Sequence, residues 1–282
     1  MRSPTHAALY ARITPHRKED VNMLLPTVDF CGLRVTRLLI GGNPFGGFSH
    51  QTPERNQEMI DYYTPDRIIE TLERARDAGI NTFVTNNSPD MLDVVRRFLT
   101  DCGGLQWIAQ VNDRYLGSMT DAIDEAADVG AAAIYLHGRE TELQWEANDA
   151  AKLVTCMERI RSHGLPAGVA GHGPEPHQWV HEQHVADFHA HAFFRCGSLH
   201  SGEGLKFKLR DMPPATEWIR NTPRPCIGYK IMGAGRIDAR MAFEYAFDSI
   251  KPNDIVNVGM HRGDNDNMVE ENVAMVRDIL GN

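Results

Sequence analysis

Short apolar runs alternate along the chain with longer stretches whose apolar residues recur every three to four positions. The runs are Thr36 to Ile40, Ile80 to Thr85, Leu105 to Val111, Ala131 to Leu136, Pro166 to Ala170, Val185 to Ala190, Cys226 to Lys230 and Asp254 to Val258. They are mostly continuous rather than alternating, the pattern of strands covered on both faces. The stretches between them carry helix punctuation. Thr64-Pro65 opens one through Ile68, Ile69, Leu72 and Ala75, and Gly79 stops it; Ser88-Pro89 opens another that Cys102-Gly-Gly ends. Further helices are predicted over Thr120 to Val129, Trp145 to Arg161, Pro176 to His184, Pro213 to Arg220, Ile237 to Phe247 and Asn267 to Leu280. Leu24 to Val35 reads as a short hairpin about Cys31-Gly32, and residues 43 to 63 as a long shaping loop.

Eight strand–helix pairs in one chain predict an α/β fold, a (β/α)8 TIM barrel whose C-terminal strand ends form one mouth. A doubly wound open sheet is the alternative, but no G-x-G-x-x-G follows the first long strand; Gly41-Gly-Asn-Pro-Phe-Gly-Gly has a different spacing. Residues 1 to 23 read as a polar extension and 24 to 282 as a single barrel domain.

Charge narrows the partners. A formal net charge of -9 and a pI near 5.8 lack the basic face that nucleic acid or an anionic membrane requires, leaving a small-molecule substrate as the expected partner. Homo-oligomers are compatible with the pattern. The five cysteines are dispersed, with no C-x-x-C, so neither a disulfide framework nor a cysteine zinc site is expected. No signal-peptide core and no apolar run of membrane-spanning length stands out, so the expected compartment is cytoplasmic.

Candidate chemistry collects at the strand ends. His137 follows one run, His172 another, and His261 the last; in Asp187-Phe188-His189-Ala190-His191 the period of two puts the acid and both histidines on one strand face. Imidazole and carboxylate at converging strand ends are ligands for Zn, Mn, Fe or Ni. The expected metal set is His137, His172 and His191, with Glu175 or His261. Lys230 and Glu140 are the expected acid/base partners, alongside His137. Gly233, Gly235 and Arg236 form a candidate anion-holding, cofactor-binding turn before the seventh helix. Residues 195 to 212, with Gly197, Gly202, Gly204, Lys206, Lys208 and Arg210, read as a lid or a solvated insertion. Plainer roles stand beside these: His163, His177, His181 and His184 as surface residues, His189 as a satisfied interior histidine, Lys230 as half of an ion pair.

The segment Phe30 to Gly42 with Phe45-Gly46, the run Ala78-Gly-Ile-Asn-Thr-Phe, and Val258-Gly-Met followed by Val269-Glu-Glu-Asn-Val together resemble aldo-keto reductases from about residue 28 to 280. The resemblance implies a barrel whose floor is closed by the N-terminal hairpin. It also implies a nicotinamide cofactor and a tetrad of aspartate, tyrosine, lysine and histidine. Three of those positions fall here on Val84, Pro89 and Gln110, and only His137 matches. Arg262 stands alone among Asp264, Asp266, Glu270 and Glu271 where a 2'-phosphate would need a basic cluster. Without a tyrosine acid, reduction lacks its proton donor. The leading expectation is therefore a divalent-metal-dependent lyase, isomerase or hydrolase acting on a small polyhydroxylated or oxo substrate. The alternatives are a divergent NAD(P)-dependent oxidoreductase using His137 and Lys230, and a barrel retained for ligand binding alone.

Overall fold

The computed structural model describes residues 24–195 and 207–281. Two strands, β1 (Thr27–Phe30) and β2 (Leu33–Thr36), pair antiparallel, and eight parallel strands then close a barrel. These are β3 (Leu38–Gly41), β4 (Thr82–Asn86), β5 (Gln106–Val111), β6 (Ala133–Leu136), β7 (Ala167–Gly171), β8 (Phe188–Ala192), β9 (Cys226–Tyr229) and β10 (Ile255–Gly259). Each strand pairs with its successor, and β10 pairs with β3, Val256 opposite Leu38. The barrel and the hairpin expected from the sequence are both present.

Strand parity sorts the buried residues into two cores. Leu39, Val84, Ile108, Ala133, Tyr135, Ala170, Phe188, Ala190, Ile227 and Ile255 fill the barrel interior together with Phe30 and Val35 of the hairpin. Phe30 meets Phe188 edge-on with ring centroids 5.1 Å apart, so the hairpin is the barrel's floor. Cys31 and Gly32 at its tip have φ of 55° and 85°, the left-handed pair that a two-residue hairpin turn requires. The other parity, including Ile40, Phe83, Trp107, Ile134 and Val169, packs outward against the helices.

Helices α2 (Pro65–Ala78), α3 (Pro89–Asp101) and α4 (Met119–Val129) follow the sequence pattern, and two other stretches differ from it. The long loop after β3 contains α1 (Pro53–Tyr62), capped by Thr52, whose hydroxyl accepts from the Arg55 N–H. Only Met59 of α1 is buried, so it shows no apolar stripe. The helix expected over Trp145 to Arg161 is two, α5 (Gly138–Glu146) and α6 (Ala150–Ser162). Asn148 sits at φ 50° and Asp149 caps α6 by accepting from the Lys152 N–H. An Asn-Asp pair competes with the helix for backbone hydrogen bonds and restarts it. Among the described residues, no helix is long and apolar enough to cross a membrane.

Candidate active site

Tyr135 parity puts His137 on the inward side as β6 ends, and Ala170 parity does the same for His172 after β7. His137 is the N-cap of α5: its ring Nδ1 accepts from the Arg139 N–H at 3.2 Å. With Nδ1 used as an acceptor, the neutral ring carries its proton on Nε2 and is a donor there. Burial, then the neighbouring His172 and Lys230, push its pKa down to about 4, so the ring is neutral at pH 7.

His172 has the opposite tautomer. Its Nδ1 lies 2.8 Å from Oε1 of Glu142, which also accepts the His172 backbone N–H at 2.9 Å. A carboxylate only accepts, so Nδ1 holds the proton and Nε2 keeps a lone pair. His172 is 7% exposed, and burial followed by the charge of Lys230 lowers its pKa against the pull of Glu142. Burial alone would raise the Glu142 pKa, but the hydrogen bonds and charge of His172 hold it below the usual carboxylate value. The ring stands against Gly138, where a Cβ would come within 2.7 Å of Cε1. Tyr229 closes the far side, its ring centroid 5.9 Å from that of His172 and its hydroxyl donating to the Gly171 carbonyl at 3.1 Å. Lys230 follows with φ 59°, a left-handed conformation unusual for a lysine, and places Nζ 5.8 Å from the Tyr229 ring centroid. A donor, a base and a cation thus share the β6, β7 and β9 ends.

The remaining candidates lie elsewhere, and the expected trio of His137, His172 and His191 is not assembled. Phe188 and Ala190 take the inward parity of β8, so His189 and His191 face outward into the helix layer. There His191 stacks on His177 of α7 (Pro174–Glu182) at 4.3 Å between centroids, and both rings lie near Trp218 of α8 (Met212–Asn221). His177, expected at the surface, is fully buried and shares a 3.0 Å hydrogen bond with His189. Asp187 immediately precedes β8 and pairs with Arg161 at 2.8 Å. Glu175, in the first turn of α7, is half exposed and pairs with Arg195 rather than reaching His172.

Glu140 is 2% exposed and pairs with Arg139 at 3.0 Å. Two positions from Glu142 on one helix, it points to the opposite side, and the carboxylate that meets His172 is that of Glu142. The turn with Gly233, Gly235 and Arg236 is spent on the fold: Arg236 donates to the Gly233 carbonyl at 3.0 Å and stacks on Phe207. The next helix, α9 (Ala239–Ser249), has its own Asp238 cap, so that turn does not present a helix N-terminus. His261, after β10, packs against both Tyr62 and Tyr63, which also meet each other. Arg262 is buried and held by Glu70 at 2.7 Å and Asp266 at 2.6 Å. Gly197, Gly202, Gly204 and Lys206 of the expected lid lie outside the described residues.

Glu142 and Tyr229 were not legible as site residues. A helix begun at Gly138 instead of Trp145 would have put Gly138 and Glu142 on one face toward His172. A pocket of about 210 Å³ adjoins the site, walled by Gly41, Gly259, Asn257 and Lys230 and reaching His261.

No protein-family model matches the chain, and no curated protein matches it by sequence. Solved structures do match. A Pseudomonas aeruginosa protein named as an aldo-keto reductase superposes with TM-score 0.63 at 17% identity, covering 90% of this chain and 94% of that one. Glycerol dehydrogenase from Gluconobacter oxydans gives 0.56 at 13%, covering 90% and 95%. Truncated 3-deoxy-D-arabino-heptulosonate 7-phosphate synthase from Thermotoga maritima gives 0.54 at 10%, covering 93% and 94%. The fold is an aldo-keto-reductase-like (β/α)8 barrel, shared with sugar-phosphate synthases.

Proposed function

We propose that the barrel is a lyase or isomerase that draws a proton from carbon next to a carbonyl of a small polyhydroxylated or oxo substrate. The observation that carries this is the Glu142–His172 pair, which leaves an imidazole Nε2 lone pair aimed with the inward parity of β7. In the step that follows, Nε2 of His172 takes the proton, the C–H electrons form a carbon–carbon double bond, and the carbonyl oxygen gains the negative charge. That oxygen accepts from Nε2–H of His137, and the Lys230 ammonium offsets its charge. A neutral imidazole is suited to this task because its pKa is closer to that of the enol it stabilises. When the carbon that lost its proton bears a hydroxyl, transfer of the hydroxyl proton to the enolate oxygen and return of the carbon-bound proton from His172 to the former carbonyl carbon isomerises the substrate; expelling a leaving group from the next carbon makes the reaction a lyase.

His137 donates rather than accepts at Nε2, which disfavours it as a metal ligand in this tautomer. That shifts support from a three-histidine metal centre to acid–base chemistry. The test is hydrogen exchange: incubation of oxo acids and sugars in deuterated water, followed by proton NMR, with His172→Gln as control. A panel whose exchange is indifferent to that substitution sinks the proposal.

A second reading has one observation in its favour. The pocket beside Lys230 is lined by Gly41, Asn43, Asn257 and Gly259 at the ends of β3 and β10, a cleft at the barrel mouth, and the neighbours include aldo-keto reductases. A nicotinamide-dependent oxidoreductase would bind NADPH or NADH there. Quenching of tryptophan fluorescence in a titration supports it; no binding at millimolar cofactor removes it.

A further inference from the structure

After β10, His261 is 3% exposed, and neither ring nitrogen has a hydrogen-bond partner. A buried imidazole in that state has lost its water and regained nothing. Around it stand Tyr62 and Tyr63, with ring centroids 5.3 and 5.4 Å away, and Gly263, whose missing side chain leaves room for the Nε2 edge. The polar groups within reach are acidic. One ring nitrogen of His261, one carboxylate oxygen of Glu58 in α1 and one of Asp264 all lie within 4.8 Å of one another. Arg55, one turn before Met59, bridges the two acids, bonding Glu58 at 2.7 Å and also Asp264. Its guanidinium is taken up by the two carboxylates, and neither nitrogen of the imidazole gains a partner from it.

We infer that Glu58, His261 and Asp264 form a binding site for a divalent transition-metal ion, for which Arg55 is the built-in competitor. One nitrogen and two carboxylate oxygens suit a borderline cation such as Zn²⁺ or Mn²⁺. Coordination gives the buried ring the partner it lacks, and the ion replaces the positive charge of Arg55, which is displaced toward the pocket it already lines. Three protein ligands leave coordination positions open. The pocket of about 210 Å³ runs from His261 and Asp264 to Asn257 and Lys230, so an oxygen of a ligand seated there can complete the shell. The inference does not rest on the acid–base reading, because His137, Glu142 and His172 take no part in it.

The experiment is calorimetric titration of untagged, chelator-dialysed full-length protein with Zn²⁺ and, separately, Mn²⁺. One ion per chain is expected. His261→Ala should weaken binding ~100-fold or more, and Arg55→Met should tighten it ~10-fold by removing the competing charge. His172→Gln should leave the titration unchanged, which separates failure here from failure of the acid–base proposal. Circular dichroism checks that each variant is folded. Absence of one-ion binding to the parent protein, affinity that survives His261→Ala in a folded variant, or weaker binding in Arg55→Met overturns the inference. For a variant that does not fold, Asp264→Asn replaces His261→Ala, with the same expected loss and the same overturning result.

Discussion

One oxygen of Glu142 accepts both the ring Nδ1–H and the backbone N–H of His172, at 2.8 and 2.9 Å. The ring's tautomer and the start of the loop after β7 are therefore set by the same atom.

Glu142→Gln should separate charge from geometry. Its amide oxygen can still accept both bonds, so the fold is kept while kcat falls roughly tenfold. Glu142→Ala leaves both donors unmet and should cost ~10² or more in kcat. Because Glu142 raises the His172 pKa, its neutralisation moves the acid limb of kcat/KM to lower pH. Steady-state kinetics across pH 4 to 8 checks this; an unmoved acid limb would show that His172 is not the titrating base.

Gly138→Ala should reduce activity with little loss of helix. Alanine is a better helix former than glycine, yet its Cβ would stand 2.7 Å from Cε1 of His172 and force the ring aside. Kinetics alongside a melting curve tests the prediction, which fails if activity is retained.

Lys230→Gly should trade activity for stability. Glycine adopts φ 59° without strain, and relief on the order of 1 kcal/mol would raise Tm by about 2–4 °C while the cation of the site is lost. Calorimetry and the exchange assay together decide it. A lower Tm would mean that this lysine's contacts outweigh its strain.

Acid should destabilise the fold in a defined window. His137 and His191 are pushed down to about 4 and His189 to about 3, chiefly by burial. The unfolded chain protonates these rings near pH 6.5 and the folded chain does not until pH 4 to 3. Stability is thus full above pH 6.5 and declines as pH falls toward the folded values, by up to ~1.4 kcal/mol per pH unit for each ring. Urea unfolding at pH 7.5, 6 and 5 measures the slope, and His191→Phe should flatten it. An equal slope in that variant would exclude His191 as a contributor.

The barrel was legible because covered strands and capped helices leave local signatures: the apolar run at Leu105 to Val111, or Thr64-Pro65 before Ile68, needs no tertiary information. The site was legible only in part. His137 and His172 end strands, and their period follows from the runs before them. His191 has a clean period too, but period fixes which residues share a face and not which face looks inward; that depended on Phe188 meeting Phe30 of the hairpin. Glu142 was hidden because the helix carrying it begins on a histidine cap and lacks an apolar stripe. Glu58 was hidden for a similar reason, since α1 buries only one residue.

His137 is a helix cap as well as a substrate-facing donor, and one atom links the two. Protonation of Nδ1 would end its acceptance of the Arg139 N–H, loosening the first turn of α5, which also carries Gly138 and leads to Glu142. Acid inactivation should accordingly begin as local fraying rather than as simple loss of a charge state. His137→Asn, which keeps a capping side chain but not the imidazole, would retain the helix start and lose the donor, so the two duties of this position are experimentally divisible.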